Sequence, residues 1–319
     1  MPLPHAIVVT LRANYFPVLV TFLNSMERSY PAHPEIVVCQ KGFSPEEIHF
    51  LETRYARLRC FDLTTHSFLK GPAMLNRANY DVDPFYARFL IWTELFDGYD
   101  NVLYLDIDAF VTGSLEPLFS SPEFLCFEES YRGPQPVFFD ANDPVLLQYL
   151  REDGLTLPAT SGNAGVLLIP RRYRTPEQLA TLHRLVDRYR KFLVWGDQTL
   201  INLWMATNGI QPTKDYRYNF QVRLLQQKRE AEAYRAVCFF HMNGWNHLDC
   251  FDHLVRVAFF FFFRLPGGRT LYPFYLRLAV RGEMARISRP YRWLLQFTRL
   301  FGHASPRHER TPQPAISSL

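Results

Sequence analysis

Residues 101–119 read NVLYLDIDAFVTGSLEPLF, and the fold is decided by how an apolar run ends there in two aspartates one residue apart. Leu103, Tyr104 and Leu105 have the apolar density of a strand buried on both faces, as parallel strands are when helices cover both sides of their sheet. Asp106 and Asp108 then stand at the carboxyl end of that strand, where open α/β sheets bind ligands. If the chain stays extended, alternation points both carboxylates one way and Ile107 the other. Two converging acids suit a divalent cation such as Mg2+ or Mn2+, which takes one or two carboxylates and fills its remaining positions with water and phosphate oxygens. A DxD taken alone fits a solvated loop equally well, so the surrounding chain decides.

Upstream, His5 to Thr10 (HAIVVT) reads as a first strand, and Val18, Leu19, Phe22, Leu23 and Met26 recur at helical spacing after it. Arg12, Ala13, Asn14 and Tyr15 fall at the strand's carboxyl end, and Tyr15 either stacks on a base or caps the core. Neither GxGxxG nor GxxxxGK follows, which argues against dinucleotide and Walker-type sites. Glu35 to Cys39 is a second strand, SPEE from Ser44 begins a capped helix, and Leu58 to Leu63 is a third strand. Residues 64–83 lose periodicity and read as a long loop. Pro84 opens a helix through FYARFLIWTELF that ends before Gly98 and leads into the DxD strand. Arg88 on that apolar helix needs an anionic partner, either a phosphate or a core carboxylate.

Downstream, Gly113 to Phe119 is a turn and short helix, Phe124 to Phe127 a strand, and residues 128–160 a proline-bearing flap with a helix near Pro144 to Arg151. Asn163, Ala164 and Gly165 open the apolar strand Val166 to Ile169, and their small size allows a ligand to approach the backbone. Asn163 either reads sugar hydroxyls or serves the turn. A helix with Leu179, Leu182, Leu185 and Val186 precedes VWGDQTLINLWMA, in which Asp197 is a helix cap or a site residue and Gln198 stands beside it. VCFFH brings His241 to a strand's end, so an imidazole joins the two carboxylates as a candidate ligand. That donor set favours Mn2+ over Mg2+, which rarely recruits nitrogen.

The totals are those of a globular α/β chain: 319 residues, 48% hydrophobic. Five cysteines without CxxC spacing argue against a disulfide framework or structural zinc and fit reduced thiols. The amino-terminal MPLPHAIVVTL has neither a basic flank nor a long apolar stretch, so neither secretory signal nor anchor is expected there, and a cytoplasmic location is. The net charge of +4 divides unevenly: residues 254–319 carry eleven arginines against two acids, leaving an acidic body of −5.

In order, NY after the first strand, YAR, LDID, NAGVLLI, GDQ and HMNGWNH resemble the family 8 retaining glycosyltransferases, which include glycogenin and the bacterial lipooligosaccharide galactosyltransferases. The resemblance spans about residues 5–250 and implies a GT-A, Rossmann-like fold, mostly parallel with helices on both faces. It implies transfer of glucose or galactose from UDP-glucose or UDP-galactose to a glycan or glycolipid hydroxyl with retained configuration. Carried over by position, Asp106, Asp108 and His241 would ligate Mn2+, and Asn14 and Tyr15 would face the uridine. Arg88 and Asn163 would contact the donor sugar and phosphates, with Thr10, Ile107, Ala164, Gly244 and His247 completing the donor site. Asp197 would bind sugar hydroxyls and Gln198 would lie beside the anomeric carbon, away from the leaving group. Where the family usually has a lysine six residues after the metal histidine, this chain has His247, which is only partly charged near neutral pH. A glutamine is a poor nucleophile, so front-face transfer is expected over double displacement.

These readings divide the chain into a catalytic domain over 1–253, a basic, aromatic-rich helical tail over 254–302 and a disordered end over 303–319. The tail has no apolar run long enough to span a bilayer, and basic amphipathic helices on an anionic membrane face, such as the inner leaflet, explain it best. The other reading is a helical lid on the domain. No nucleic-acid module is present in the sequence, so no nucleic-acid partner is expected. Two rival functions are an inert UDP-sugar-binding protein and a DxD phosphatase. The phosphatase pattern expects its acids in the first strand and Thr or Val where this chain has Phe110.

Overall fold

In a computed structural model, which describes residues 4–65, 86–129, 143–156, 160–193, 196–221 and 237–241, the first apolar run forms β1 (His5–Arg12). Glu35–Lys41 is β2, Leu58–Asp62 β3 and Asn101–Leu105 β4. These four strands are parallel, with Val8 of β1 opposite both Val37 and Tyr104. Leu125–Glu128 is β6 and Gly162–Pro170 is β7, numbered in chain order around a short β5 (Ala109–Val111). The sheet order is β3-β2-β1-β4-β7-β6, with β7 antiparallel to both β4 and β6. That reversal has a functional consequence: the beginning of β7, not its end, lies beside the carboxyl end of β4, which brings Asn163 and Ala164 to the aspartates.

Helices cover both faces, as the two-sided apolar strands require. On one face Ile7, Val9, Leu103 and Leu105 pack with Phe22 and Leu23 of α1 (Phe16–Ser29) and Leu51 of α2 (Pro45–Arg54). On the other, Val8, Tyr104 and Leu167 pack with residues of α5 (Pro176–Tyr189) and α6 (Asp197–Thr207), the latter including Trp204. Among the described residues, two further helices are α3 (Glu116–Phe119) and α4 (Pro144–Glu152). The SPEE signature is a reciprocal cap: Ser44 Oγ accepts the Glu47 N–H, and a Glu47 carboxylate oxygen accepts the Ser44 N–H. A second, three-stranded sheet joins β5, β9 (Phe239–His241) and β8 (Phe220–Gln221), in the order β5-β9-β8.

Two local expectations are corrected. The helix through FYARFLIWTELF is instead a pair of 3-10 segments, Ala87–Trp92 and Glu94–Phe96. Every residue of Ala87–Trp92 is buried, so the segment has no polar face on which an amphipathic α-helix rests, and short 3-10 turns serve as tight connectors. The extended conformation through the DxD also fails: β4 stops at Leu105 and the chain bends over 107–108 into the second sheet. Among the described residues, Cys39, Cys60 and Cys126 are free thiols. No helix among the described residues is long and apolar enough to cross a membrane. Residues 66–85, residues 130–142 and 157–159 of the 128–160 flap, Gly244, His247, Cys250 and the tail from 254 lie outside the described residues.

Candidate active site

The bend after β4 places the two aspartates around one point. Asp106 is tied to β7 by its N–H on the Gly165 carbonyl at 2.8 Å. Asp108 immediately precedes β5, whose Ala109 pairs with His241 of β9, so the ladder register delivers the imidazole. One ligand atom from each of Asp106, Asp108 and His241 lies within 4.8 Å of the others. His241 Nε2 is 3.5 Å from Asp106 and 3.4 Å from Asp108.

The second ring nitrogen fixes which atom faces the acids. Asn219 Nδ2 donates to Asn163 Oδ1 at 3.0 Å, which turns Asn219 Oδ1 towards the ring, so His241 Nδ1 must donate to it, also at 3.0 Å. Nε2 is thereby the nitrogen presented to a cation. Asp108 Oδ2 is buried and has no hydrogen-bond partner among the described residues. A buried anionic oxygen with no partner is costly, and a bound cation would satisfy it. The residues therefore fit a divalent metal, and two carboxylates with one imidazole suit Mn2+. Burial would lower the His241 pKa, but the Asp108 and Asp106 carboxylates take it up to about 9. Asp106 is pushed up by burial, yet Arg88 and His241 hold it below the usual carboxylate range.

Arg88, 3% exposed, organises the other side of Asp106. Its guanidinium donates to Asp197 at 2.6 Å, to Asp106 at 3.3 Å and to the Ala164 carbonyl at 2.6 Å. It also lies over the Tyr104 ring, 4.2 Å from the centroid. Tyr104 in turn donates its hydroxyl to Asp106 at 2.8 Å and meets Thr10 Oγ1 at 3.1 Å. Asp197 is the first residue of α6 and Gly196, at φ 51°, occupies the cap position, so Asp197 is not the helix cap. Burial pushes the Asp197 carboxyl up to about 6 against the opposing pull of Arg88. The anionic partner that Arg88 needs is thus supplied from within the protein, by two carboxylates.

Beside Asp197, Gln198 is held from three directions. Its Oε1 accepts from Asn163 Nδ2 at 3.2 Å and from the Ala164 N–H at 3.3 Å, and its Nε2 donates to Glu129 at 3.2 Å. Asn163 Nδ2 also donates to Glu129 at 2.9 Å. Of the small residues at the mouth of β7, Gly165 has a close neighbour within the chain. A Cβ on Gly165 would lie 2.2 Å from His241 Cε1, so the glycine makes room for the imidazole.

The structure brings together Thr10, Arg88, Asp106, Asp108, Asn163, Ala164, Asp197, Gln198 and His241 through these bonds. Ile107 turns its side chain into the core beneath α1. Tyr15 is partly buried against that same core, and Asn14 lies in the short turn Ala13–Tyr15 that ends β1. Gly244 and His247 fall outside the described residues. Sequence reasoning misses Tyr104, Glu129 and Asn219. In the sequence Tyr104 reads as core only, Glu129 as part of the flap, and Asn219 lies in an aperiodic stretch. The pairing of acids in FEE at the end of β6 is the one available signal.

The model of glycosyl transferase family 8 matches residues 6–247. Among solved structures, galactosyltransferase LgtC in complex with donor and acceptor sugar analogues is similar at TM-score 0.58 and 21% identity, covering 86% of this chain and 95% of that one. An active-site glutamine-to-glutamate mutant of LgtC is similar at TM-score 0.57 and 22% identity, over 75% and 87%. The bifunctional glycosyltransferase WbbM, at TM-score 0.53 and 16% identity, matches over 85% of this chain and 51% of its own. At such identities the likeness shows the fold. No curated protein sequence is matched. The DxD follows the fourth strand and not the first, which removes the phosphatase reading. With the family match running from β1 through His241 and beyond it, this chain belongs to glycosyl transferase family 8 and is a glycosyltransferase.

Proposed function

We propose that the protein is a retaining hexosyltransferase that moves glucose or galactose from a UDP-sugar to a hydroxyl of a glycan or glycolipid. The observation that carries this reading is the convergence of Asp106, Asp108 and His241, with a buried Asp108 oxygen that has no partner among the described residues. These three residues would hold Mn2+, which when bound supplies positive charge for the diphosphate of the donor and leaving group. Asn14 and Tyr15, just past the end of β1, are the residues proposed to face the uridine, with Thr10 completing the donor site.

On the sugar side, Asp197 is proposed to accept sugar hydroxyls while Arg88 holds it in place. Gln198 is neutral and its amide is fixed by Asn163, Ala164 and Glu129, which makes it a positioning group and a poor nucleophile. The LgtC mutant replaces an active-site glutamine of that enzyme, and Gln198 is the proposed counterpart here. In front-face transfer the bond from the anomeric carbon to the phosphate oxygen breaks as the acceptor oxygen bonds on the same face. The acceptor's proton goes to the departing phosphate oxygen. The chain contributes orientation and the negative charge of Asp197 and Glu129 opposite a positively charged sugar.

Calorimetric titration with UDP tests the site directly. Binding strengthened at least about tenfold by Mn2+ is expected, since the ion joins protein and diphosphate. Equal affinity with and without the ion would contradict the metal role. The arginine- and aromatic-rich residues 254–302 are proposed to rest on an anionic membrane surface near a glycolipid acceptor. Truncation before Leu254 should abolish sedimentation with anionic vesicles, and unchanged sedimentation would exclude that surface.

A further inference from the structure

We propose that Asn219 is a positioning residue that couples the metal centre to the sugar-side amides, an inference that rests on the metal site proposed above. Asn219 is 1% exposed, and each end of its carboxamide is used. Its Oδ1 accepts the His241 Nδ1–H at 3.0 Å, and its Nδ2 donates to Asn163 Oδ1 at 3.0 Å. Asn163 passes the connection on: its Nδ2 reaches Glu129 at 2.9 Å and Gln198 Oε1 at 3.2 Å. The chain His241–Asn219–Asn163–Gln198 is therefore continuous, and every amide in it has one orientation that satisfies all its neighbours.

This arrangement does two jobs. The acceptor oxygen of Asn219 keeps the proton on His241 Nδ1, leaving Nε2 as the metal-facing nitrogen, the usual duty of an outer-shell partner. The donor nitrogen of Asn219 holds Asn163 Oδ1, so that Asn163 turns its own amide nitrogen towards Gln198 and Glu129. β8 and β9 make the connection rigid, because Asn219 directly precedes β8 and Gln221 of β8 pairs with His241.

Two substitutions separate the jobs. Asn219→Asp keeps an acceptor for His241 but sets a carboxylate oxygen against Asn163 Oδ1. Asn219→Ala removes both contacts. Mn2+ affinity, read by electron paramagnetic resonance of free Mn2+, should fall about 10–100-fold in Asn219→Ala, the loss typical of an outer-shell partner, and stay within about threefold of wild type in Asn219→Asp. Mn2+-dependent hydrolysis of the UDP-sugar should fall at least about tenfold in both variants, at saturating Mn2+, because Gln198 is misplaced. Thermal melts identify a variant that fails to fold, and if Asn219→Ala does, Asn219→Asp decides alone. Retained metal binding with lost turnover supports the coupling. Wild-type Mn2+ affinity in a folded Asn219→Ala, or wild-type turnover in Asn219→Asp, overturns it. A wild-type chain that binds no Mn2+ overturns the metal site itself and this inference with it.

Discussion

Gly165→Ala tests the geometry of the metal site through a single methyl group. The added Cβ would stand 2.2 Å from His241 Cε1, 2.7 Å from Nδ1 and 2.9 Å from Asn163 Oδ1. Ordinary carbon contacts begin near 3.5 Å, so the ring must retreat by about 1.3 Å, or β7 must yield by as much. Neither is easy, because Gly165 sits inside β7 with its N–H on Asn163 Oδ1 and its carbonyl on the Asp106 N–H. Metal sites tolerate displacements of only about 0.2 Å, so a ring that moves is lost as a ligand. Mn2+ affinity should fall by at least about 10–100-fold, the range seen when even an outer-shell partner is removed. If the backbone yields instead, overpacking costs about 1–3 kcal/mol. For a chain of this size that lowers the melting temperature by about 2–12 °C. Free Mn2+ measured by electron paramagnetic resonance and melting of the chelated protein read the two routes separately. Wild-type affinity together with a wild-type melting temperature would refute the argument.

Arg88→Ala leaves the buried Asp197 carboxylate without its cation, and urea unfolding should show a loss of about 3–5 kcal/mol. Arg88→Lys keeps the charge but not the fork that reaches Asp197, Asp106 and Ala164 together, so an intermediate loss is expected. Asp197, with its pKa pushed up to about 6, gives kcat/KM an acidic limb: activity falls as pH drops through about 6, and Asp197→Asn abolishes that limb. Stability runs the other way. A carboxyl whose folded pKa lies above its unfolded value favours the fold most below pH about 4, and about 3 kcal/mol is lost by the time pH has risen through about 6. Wild-type and Asp197→Asn unfolding curves at pH 4 and 7 measure the difference.

The parts of the site legible in the sequence are those that end a strand. Asp106, Asp108 and His241 follow apolar runs whose direction fixes where their ends lie, and Asn163 marks the mouth of another. Arg88 is legible as a cation in need of an anion, but sequence spacing does not say which one. It takes the reversal of β7 and the 3-10 path of Ala87–Trp92 to set Asp197, Asp106 and Ala164 around it. The role of Gly165 is half legible: small size reads as room for a ligand, whereas the room is taken by His241. Glu129 and Asn219 leave almost no trace, because a polar residue earns its place there through partners 34 to 69 positions away in Asn163 and Gln198 and 22 to 56 away in His241 and Asn163. Hydrophobic periodicity carries no information about such pairings.

The central claim is that the Asp106, Asp108 and His241 site drives transfer from a UDP-sugar. It is tested most directly by incubating the wild-type protein and Asp108→Asn with a panel of UDP-sugars and Mn2+, without acceptor, and following release of free sugar by proton NMR. One donor should be hydrolysed by the wild type, first as the anomer present in the donor, and neither chelation nor Asp108→Asn should leave measurable release. Release that persists unchanged in Asp108→Asn, or a wild type that binds UDP with Mn2+ yet turns over no sugar with or without a glycan acceptor, would contradict the account.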